Sequence, residues 1–256
     1  PNGIILITGP TGSGKTTTLY SILNQLNSEE VNIVTVEDPV EYQMPGIGQV
    51  QVKESIGLTF AAALREILRQ DPDIIMIGET RDAETAQIAI QSALTGHLVL
   101  STLHTNSAAA SVTRLIDMAV EPFLIASTIV SIVAQRLVRK LCEKCKKQYK
   151  PDDEILKRLP ININELKTWI FYKPVGCEEC SNTGYKGRIP IFEIMVMTHE
   201  IAKLTIERAD TTVLQEQAIK DGMILLIKDG LEKVKKGLTT IEEVLAAATS
   251  QETMAV

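Results

Sequence analysis

Long hydrophobic runs are missing from this sequence of 256 residues. The longest, Phe123 to Ala134, is interrupted by Ser127, Thr128 and Ser131 and is too short to span a bilayer. It reads as a buried helix that Gln135 to Leu141 brings to an end. Positive charge is not in excess: 26 Lys and Arg stand against 32 Asp and Glu, a net charge of −6. A chain so balanced is no general nucleic-acid binder. Cysteine is limited to four residues, too few for a disulfide scaffold of this length. No internal repeat and no low-complexity tract is visible. The chain opens on a strand pattern, not on a basic region followed by an apolar one, so no signal peptide is read and a soluble, cytoplasmic protein is expected. Charged and apolar fractions are ordinary, and the length suffices for one substantial core plus a smaller appendage.

What is present is organised around Gly9-Pro10-Thr11-Gly12-Ser13-Gly14-Lys15-Thr16, followed by Thr17. This is G-x-x-x-x-G-K-T, the phosphate-binding P-loop pattern. An apolar run short enough for a buried parallel strand, Ile4 to Ile7, precedes it. A helical pattern follows, with apolar residues at 19, 22, 23 and 26. The glycines let the backbone wrap a phosphate chain with its N–H groups pointing inward, and the new helix adds the positive end of its dipole. Lys15 then reaches the β- and γ-phosphates, and the Thr16 hydroxyl meets Mg²⁺. Glycine is roughly 7% of average sequence, so a chance match in this length is expected about once in a hundred chains.

Strand and helix patterns alternate from residue 4 to about 118, which predicts an α/β fold with a parallel sheet. Ligand sites in such sheets lie beyond the carboxyl ends of the strands. The strand Ile33 to Val36 ends in Glu37-Asp38-Pro39-Val40-Glu41, so these acids are expected to face a bound nucleotide. Gln49 to Val52 alternates like a short edge strand. Leu58 to Gln70 reads as a helix capped by Thr59. Ile74 to Ile77 followed by Gly78-Glu79 resembles the second ATPase motif, with Gly78 where an aspartate usually stands. Mg²⁺ would then rest on Thr16, phosphate oxygens and water. Glu79 is the candidate that orients or deprotonates the attacking water. Arg81-Asp82 open a helix that Gly96 ends. The strand Leu98 to Thr102 runs out at His104, whose imidazole could hydrogen-bond a γ-phosphate or could be structural. Neither His97 nor His199 is assigned a role.

The cysteines fall as Cys142-x-x-Cys145 and Cys177-x-x-Cys180. Two such pairs supply the four thiolates of a closed tetrahedral Zn²⁺ site. Lys144, Lys146, Lys147, Lys150, Lys186 and Arg188 surround them as a basic rim, which is either a solvated surface or a contact for nucleic acid or an acidic lipid head group. Beyond it, Ile201–Arg208, Thr212–Lys220, Ile224–Lys236 and Ile241–Ala248 read as amphipathic helices, punctuated by Gly222 and Gly237, with Gly230 inside the third span. Thr240 and Glu243 form a capping box for the last.

Taken in order, Glu37 to Glu41, Leu68 to Asp73, Gly78 to Asp82 and Ser101 to Asn106 after the P-loop resemble the secretion ATPase superfamily, the motors of type II secretion and of type IV pilus assembly and retraction. The resemblance covers essentially the whole chain. It implies a RecA-like P-loop core over residues 1–140, a tetracysteine subdomain over 141–187 and a C-terminal helical subdomain over 188–256. It implies that Glu37 and Glu41 belong to an acidic box, that Glu79 is the catalytic glutamate, that His104 lies near the γ-phosphate and that Gly78 is compatible with turnover. It implies ATP, Mg²⁺ and Zn²⁺ as cofactors, and a hexamer at the cytoplasmic face of the inner membrane beside platform proteins. An acidic lipid contact is an option, and nucleic acid is not expected. The four cysteines favour a secretion or assembly motor over a retraction motor, and the segment Thr113–Ile125 leans toward type II secretion over pilus assembly. A non-catalytic nucleotide-binding module and a DNA-stimulated ATPase are the other readings. Family members carry an N-terminal domain that supplies arginine fingers. This chain begins at the P-loop strand, so a fragment with weak activity is expected. Gly187 to Glu193 follows the family's Gly-Arg-x-Gly-Ile-Tyr-Glu, with Pro190 at the second glycine. The backbone there must tolerate a proline φ and lose an N–H.

Overall fold

The structure, a computed structural model, describes residues 2–249. The strand β1 (Gly3–Thr8) leads through the P-loop into α1 (Lys15–Leu26). Then come β2 (Ile33–Glu37), β3 (Gly48–Gln51), α2 (Phe60–Ile67), β4 (Ile74–Ile77), α3 (Ala83–Leu94), β5 (Leu98–Leu103), α4 (Ala108–Asp117), α5 (Pro122–Thr128) and β6 (Ile129–Leu141). The chain continues with β7 (Lys147–Tyr149), α6 (Asp153–Lys157), α7 (Ile163–Leu166), β8 (Phe171–Lys173) and β9 (Tyr185–Val196), and closes with α8 (His199–Ile206), α9 (Thr211–Lys220), α10 (Leu226–Lys235) and α11 (Ile241–Thr249).

Seven strands form one sheet in the order β3-β2-β4-β5-β1-β6-β9. The pairs β1–β5, β1–β6, β2–β3, β2–β4 and β4–β5 are all parallel. Parallel strands are buried on both faces, and Ile4, Leu6, Ile7, Ile75, Met76, Ile77, Val99 and Leu100 accordingly have almost no exposed surface. Leu19, Tyr20 and Leu23 of α1 pack on this layer beside Ile7, Ile74, Met76 and Leu100. Of the apolar stripe expected at 19, 22, 23 and 26, Leu19 and Leu23 are buried and Ile22 partly so, whereas Leu26 is exposed and Tyr20 takes a core position instead. Side-chain caps start four helices: Thr59, Asp82, Ser107 and Thr198 accept from the N–H three residues on, at the heads of α2, α3, α4 and α8. Gly96, at φ +105°, follows the last turn of α3. The alternating stretch at Gln49 is the edge strand β3.

Two sequence expectations are corrected. The apolar run from Phe123 is not one helix: α5 lasts seven residues, and thirteen residues of strand β6 follow. Ile129, Val130, Ile132 and Val133 are β-branched, and such residues fit a pleated, half-buried surface better than a helix. The Thr240–Glu243 capping box is half formed. The Glu243 N–H donates to Thr240 Oγ1 at 3.4 Å, but the Glu243 carboxylate accepts from the Arg139 backbone N–H at 2.9 Å and from Nε and Nη2 at 3.0 and 2.6 Å. Pro190 disturbs no central ladder, because β9 is an edge strand, where proline is tolerated.

The chain divides into two compact units. One comprises the residues up to Ala134 together with Ile194–Met223, and the other comprises Gln135–Glu193 and the residues from Ile224 on. This grouping cuts across the boundary expected at residue 188. Helix α8 packs on α5 and α9 on α4, so both belong with the P-loop unit. The second unit has its own core of Leu156, Leu159, Leu166, Trp169, Phe171, Leu231, Val234, Ile241 and Val244. Within it, α10 and α11 touch so closely at buried Gly230 that an added Cβ would stand 2.5 Å from Val244 Cγ1.

Candidate active site and metal centre

The loops after β1, β2, β4 and β5 all leave the same carboxyl edge of the sheet. Strand β5 separates β4 from β1, so the ends of those two strands lie about 10 Å apart, two strand spacings.

The P-loop is held by its own backbone. Gly12 and Gly14 adopt φ of +78° and +86°, a region that side chains disfavour, and Gly14 sits at the head of α1. Lys15 Nζ donates to the Gly9 and Pro10 carbonyls at 2.8 and 3.1 Å, and Ser13 N donates to Pro10 O at 3.2 Å. Thr11, Thr16 and Thr17 are exposed, so the Thr16 hydroxyl is accessible at the first turn of α1. That turn carries no acidic residue. A glycine-rich loop, a lysine and a helix N-terminus form a donor set suited to a polyphosphate.

Glu79 is the acid that this edge brings toward the P-loop. Its side chain is 18% exposed, and its two oxygens are taken by different side chains. Arg81 Nη2 lies 2.8 Å from Oε2, and His104 Nε2 lies 3.1 Å from Oε1. Burial pushes the carboxyl upward, but Arg81, His104 and Lys15 together outweigh it and hold the group below the usual carboxylate range. Arg81 in turn lies 3.9 Å from Asp38 Oδ2. Sequence reasoning did not single out Arg81; the available signal was a lone cation two residues beyond the candidate acid. The neighbouring backbone is pinned by hydroxyls. Thr102 Oγ1 donates to Gly78 O at 2.7 Å, and Thr80 Oγ1 meets Ser101 Oγ at 2.8 Å. The loop bearing His104 is tied to the end of β1 by Thr105 N donating to Thr8 Oγ1 at 2.9 Å. Thr105 Oγ1 then meets Ser111 Oγ at 2.6 Å.

Gly78 has a steric reason to be glycine. A Cβ there would stand 3.2 Å from the Val36 carbonyl oxygen and 3.3 Å from Glu37 Cα. The aspartate that the motif usually carries would have to press the Val36 carbonyl or the Glu37 backbone back by a few tenths of an ångström.

Glu37 was expected to face the nucleotide. It is instead 2% exposed, with its carboxylate committed inward. Oε2 accepts from the Tyr20 hydroxyl, and Oε1 accepts from Thr35 Oγ1 at 2.6 Å and Gln49 Nε2 at 3.0 Å. Burial first, then the Glu37 carboxylate, pushes Tyr20 up to about 12. Tyr20 Oη also receives the Glu41 N–H at 3.3 Å, and Gln49 Oε1 receives the Met44 N–H at 2.7 Å. The cluster shapes the acidic loop from beneath. His97, left without a role, closes the end of α3: its Nδ1 lies 2.8 Å from Ser92 O.

The four cysteine sulfurs, from two distant stretches of the second unit, all lie within 4.8 Å of one another. Cys142–Cys177 and Cys145–Cys180 are 3.8 Å apart, and Cys177–Cys180 is 3.7 Å. These are not disulfide distances. A tetrahedral ion with 2.3 Å bonds to sulfur separates its ligands by about 3.8 Å. Backbone N–H groups of Gly176, Cys177 and Gly184 donate to Cys145 or Cys180 sulfur at 3.2–3.3 Å, as thiolate ligands require. The cluster fits a metal ion. Its basic rim is partly neutralised: Lys144 and Lys186 both pair with Glu179 at 2.7 and 2.8 Å, and Lys146 pairs with Glu143 at 2.6 Å. No helix among the described residues is long and apolar enough to cross a membrane.

Known proteins resemble this chain throughout. The family model described as type II/IV secretion system protein matches residues 1–246. The type II secretion system protein E of Xanthomonas campestris is 56% identical over 245 residues, which cover 96% of this chain and 43% of that protein. The type IV pilus assembly ATPase PilB of Thermus thermophilus is 54% identical over 246 residues, covering 96% of this chain and 28% of that protein. The chain therefore spans half or less of the length of these curated relatives. Among solved structures, the pilus retraction motor PilT with bound ADP superposes with a TM-score of 0.72 at 29% identity, covering 99% of this chain and 63% of that one. A P-loop set on a mostly parallel sheet, the glutamate and histidine beside it and the paired cysteines are thus carried by a chain that belongs to the type II/IV secretion system protein family.

Proposed function

We propose that this chain is the motor part of an ATPase that hydrolyses Mg-ATP to drive protein secretion through a type II system. The observation that carries the reading is the convergence of Glu79, His104 and the P-loop on one edge of the sheet, with Lys15 close enough to depress the Glu79 carboxyl. In this reading the loop from Gly9 to Thr17 wraps the triphosphate, and Lys15 leaves the Gly9 and Pro10 carbonyls for the β- and γ-phosphates. Thr16 would hold Mg²⁺, which supplies neutralisation of phosphate charge. Glu79 stays ionised and accepts a hydrogen bond from the attacking water. The water oxygen bonds to the γ-phosphorus as the bond to the β,γ-bridging oxygen breaks, and ADP leaves with that electron pair. A carboxyl held low is a poor resting place for a proton, so Glu79 orients the water and the proton passes to the phosphate product. The loose transition state of phosphoryl transfer needs little more from the nucleophile. His104 donates to the γ-phosphate, and Glu37 acts through Tyr20 and Gln49 by fixing the acidic loop.

Zn²⁺ at Cys142, Cys145, Cys177 and Cys180 is a structural ion in this proposal. The full-length protein works as a hexamer against platform proteins at the cytoplasmic face of the inner membrane. Pilus assembly is the second reading, favoured by the relative from Thermus thermophilus. Loss of the gene in its own host separates the two, through failed export of extracellular enzymes or failed piliation. Neutralisation of half the basic rim within its own unit weakens the DNA-stimulated reading, and added DNA should leave turnover unchanged. The central test is E79Q. It should abolish ATP turnover while leaving ATP binding intact, and wild-type specific activity should rise with protein concentration as oligomers form. A chain that binds ATP but turns it over at no concentration, alone or at full length, would be a binding module instead.

A further inference from the structure

In the hydrolysis reading Arg81 enters only as one of the charges around Glu79, and no step is assigned to its geometry. It is 54% exposed, yet its guanidinium reaches back to the half-buried Glu79 at 2.8 Å. Its direction is set by anchors on both sides. Before it, the Thr80 N–H donates to Thr102 O at 3.0 Å and Thr80 Oγ1 meets Ser101 Oγ at 2.8 Å. After it, Asp82 caps α3 through the Thr85 N–H and hydroxyl at 2.8 and 2.9 Å. Asp38, from the loop after β2, stands 3.9 Å from Arg81 Nη1. Three motif loops thus meet through two side chains, Arg81 and Glu79, in the series Asp38, Arg81, Glu79, His104.

We propose that Arg81 is the positioning residue of the active site: it clamps one oxygen of Glu79, aims the other toward the phosphate side and keeps the acid ionised. The proposal rests on the hydrolysis reading above. An exposed ion pair contributes about 0–1 kcal/mol to stability, too little to account for so constrained a geometry. The division of labour is physical. A carboxylate with a free χ2 and χ3 samples several directions, and one fixed guanidinium removes most of them. His104 cannot replace it, because an imidazole is cationic only when protonated, whereas a guanidinium always is. The charged groups that face Glu79 are Arg81 from its own loop, His104 from the loop after β5 and Lys15 from the P-loop; Asp38 and Glu54 face Arg81.

The test uses R81Q, R81K and E79Q beside the wild type. Fluorescent ATP-analogue binding with Mg²⁺, turnover against pH and the ¹³C titration of the Glu79 carboxyl, assigned by its loss in E79Q, are measured on each. R81Q should bind nucleotide within about twofold of wild type and lose roughly tenfold or more in kcat, about 1.4 kcal/mol of barrier. The acidic limb of its turnover profile and the Glu79 titration should both move to higher pH, because burial is then opposed only by His104 and Lys15. R81K should restore the titration but only part of kcat, since an ammonium carries the charge without the planar fork. A Glu79 titration unmoved in R81Q overturns the proposal. So does an affinity loss equal to the kcat loss, which would make Arg81 a phosphate ligand. If the wild type shows no turnover, or E79Q turns over normally, the hydrolysis reading fails instead, while the titration still decides whether Arg81 governs Glu79.

Discussion

Replacing Glu37 with glutamine separates a structural acid from a catalytic one. The wild-type carboxylate receives three bonds, from Tyr20, Thr35 and Gln49, with 2% of the residue exposed. Gln49 offers only an N–H₂ there, so one oxygen of the new amide must face it. The amide nitrogen must then face Tyr20, whose hydroxyl oxygen already receives the Glu41 N–H. Every surviving bond loses its charge assistance, and one loses its geometry. Bonds to a charged group contribute about 1.5–3 kcal/mol and neutral ones about 1. The substitution should therefore cost roughly 2–4 kcal/mol. For a chain of this size, 1 kcal/mol shifts Tm by about 2–4 °C, so calorimetry should show a fall of roughly 5–15 °C in the transition of the P-loop unit. Turnover below that transition should fall by about tenfold at most, because no bond to the nucleotide is removed. Y20F should lose about 1–3 kcal/mol, and the double variant should lose less than the sum because the two share a bond. An E37Q protein that melts within about 1 °C of wild type, yet has no turnover, would refute this reasoning and return Glu37 to the chemistry.

Other consequences are as direct. Tyr20 titrates near 12 when folded and about 10 when unfolded, so the unfolded chain loses that proton first; the stability advantage of wild type over Y20F should be full below pH 10 and shrink between about 10 and 12 in alkaline melts. G78A must push the Val36 carbonyl or Glu37 Cα aside, which should cost about 1–3 kcal/mol and misplace Glu79; a G78A protein with wild-type Tm and turnover would contradict the packing argument. Treatment with a mercurial should release about one Zn²⁺ per four thiols titrated, and C177S should abolish that release; thiols that titrate with no metal appearing would leave the cluster without its ion. G230A should destabilise the second unit by about 1–3 kcal/mol, read as an earlier melting transition, because its Cβ meets Val244.

The sequence made the nucleotide site legible because that site is local. Strand, glycine loop and helix follow one another within some twenty residues, and each reports itself by its own periodicity. Glu79 and His104 stood out because they close apolar strands. The cysteines were readable because spacing alone brings each pair onto one ion. Glu37 was misread because its partners lie seventeen residues before it and twelve after, and no local pattern announces a hydroxyl and an amide converging from α1 and β3. Arg81 was passed over because a lone arginine resembles any solvated charge until its carboxylate is placed. The β6 error was avoidable. Four of the five residues Ile129–Val133 are β-branched and mark a strand, and the largely apolar run from Phe123 hides the change of element at Thr128.

The division of the chain has a consequence for how it is made. The P-loop unit is interrupted after Ala134 and resumes only at Ile194, so the cysteines are inserted into its sequence rather than appended. On a ribosome, all four cysteines emerge before α8 and α9 exist to cover α4 and α5. The four cysteines can therefore come together before the P-loop unit is complete, and a nascent chain halted before residue 194 would hold all four cysteines and its P-loop yet lack the helices that finish the latter's own unit. Excising the cysteine unit would require joining residue 134 to 194 and ending at 223, whereas a cut at 188 would take two helices from the very unit it was meant to isolate.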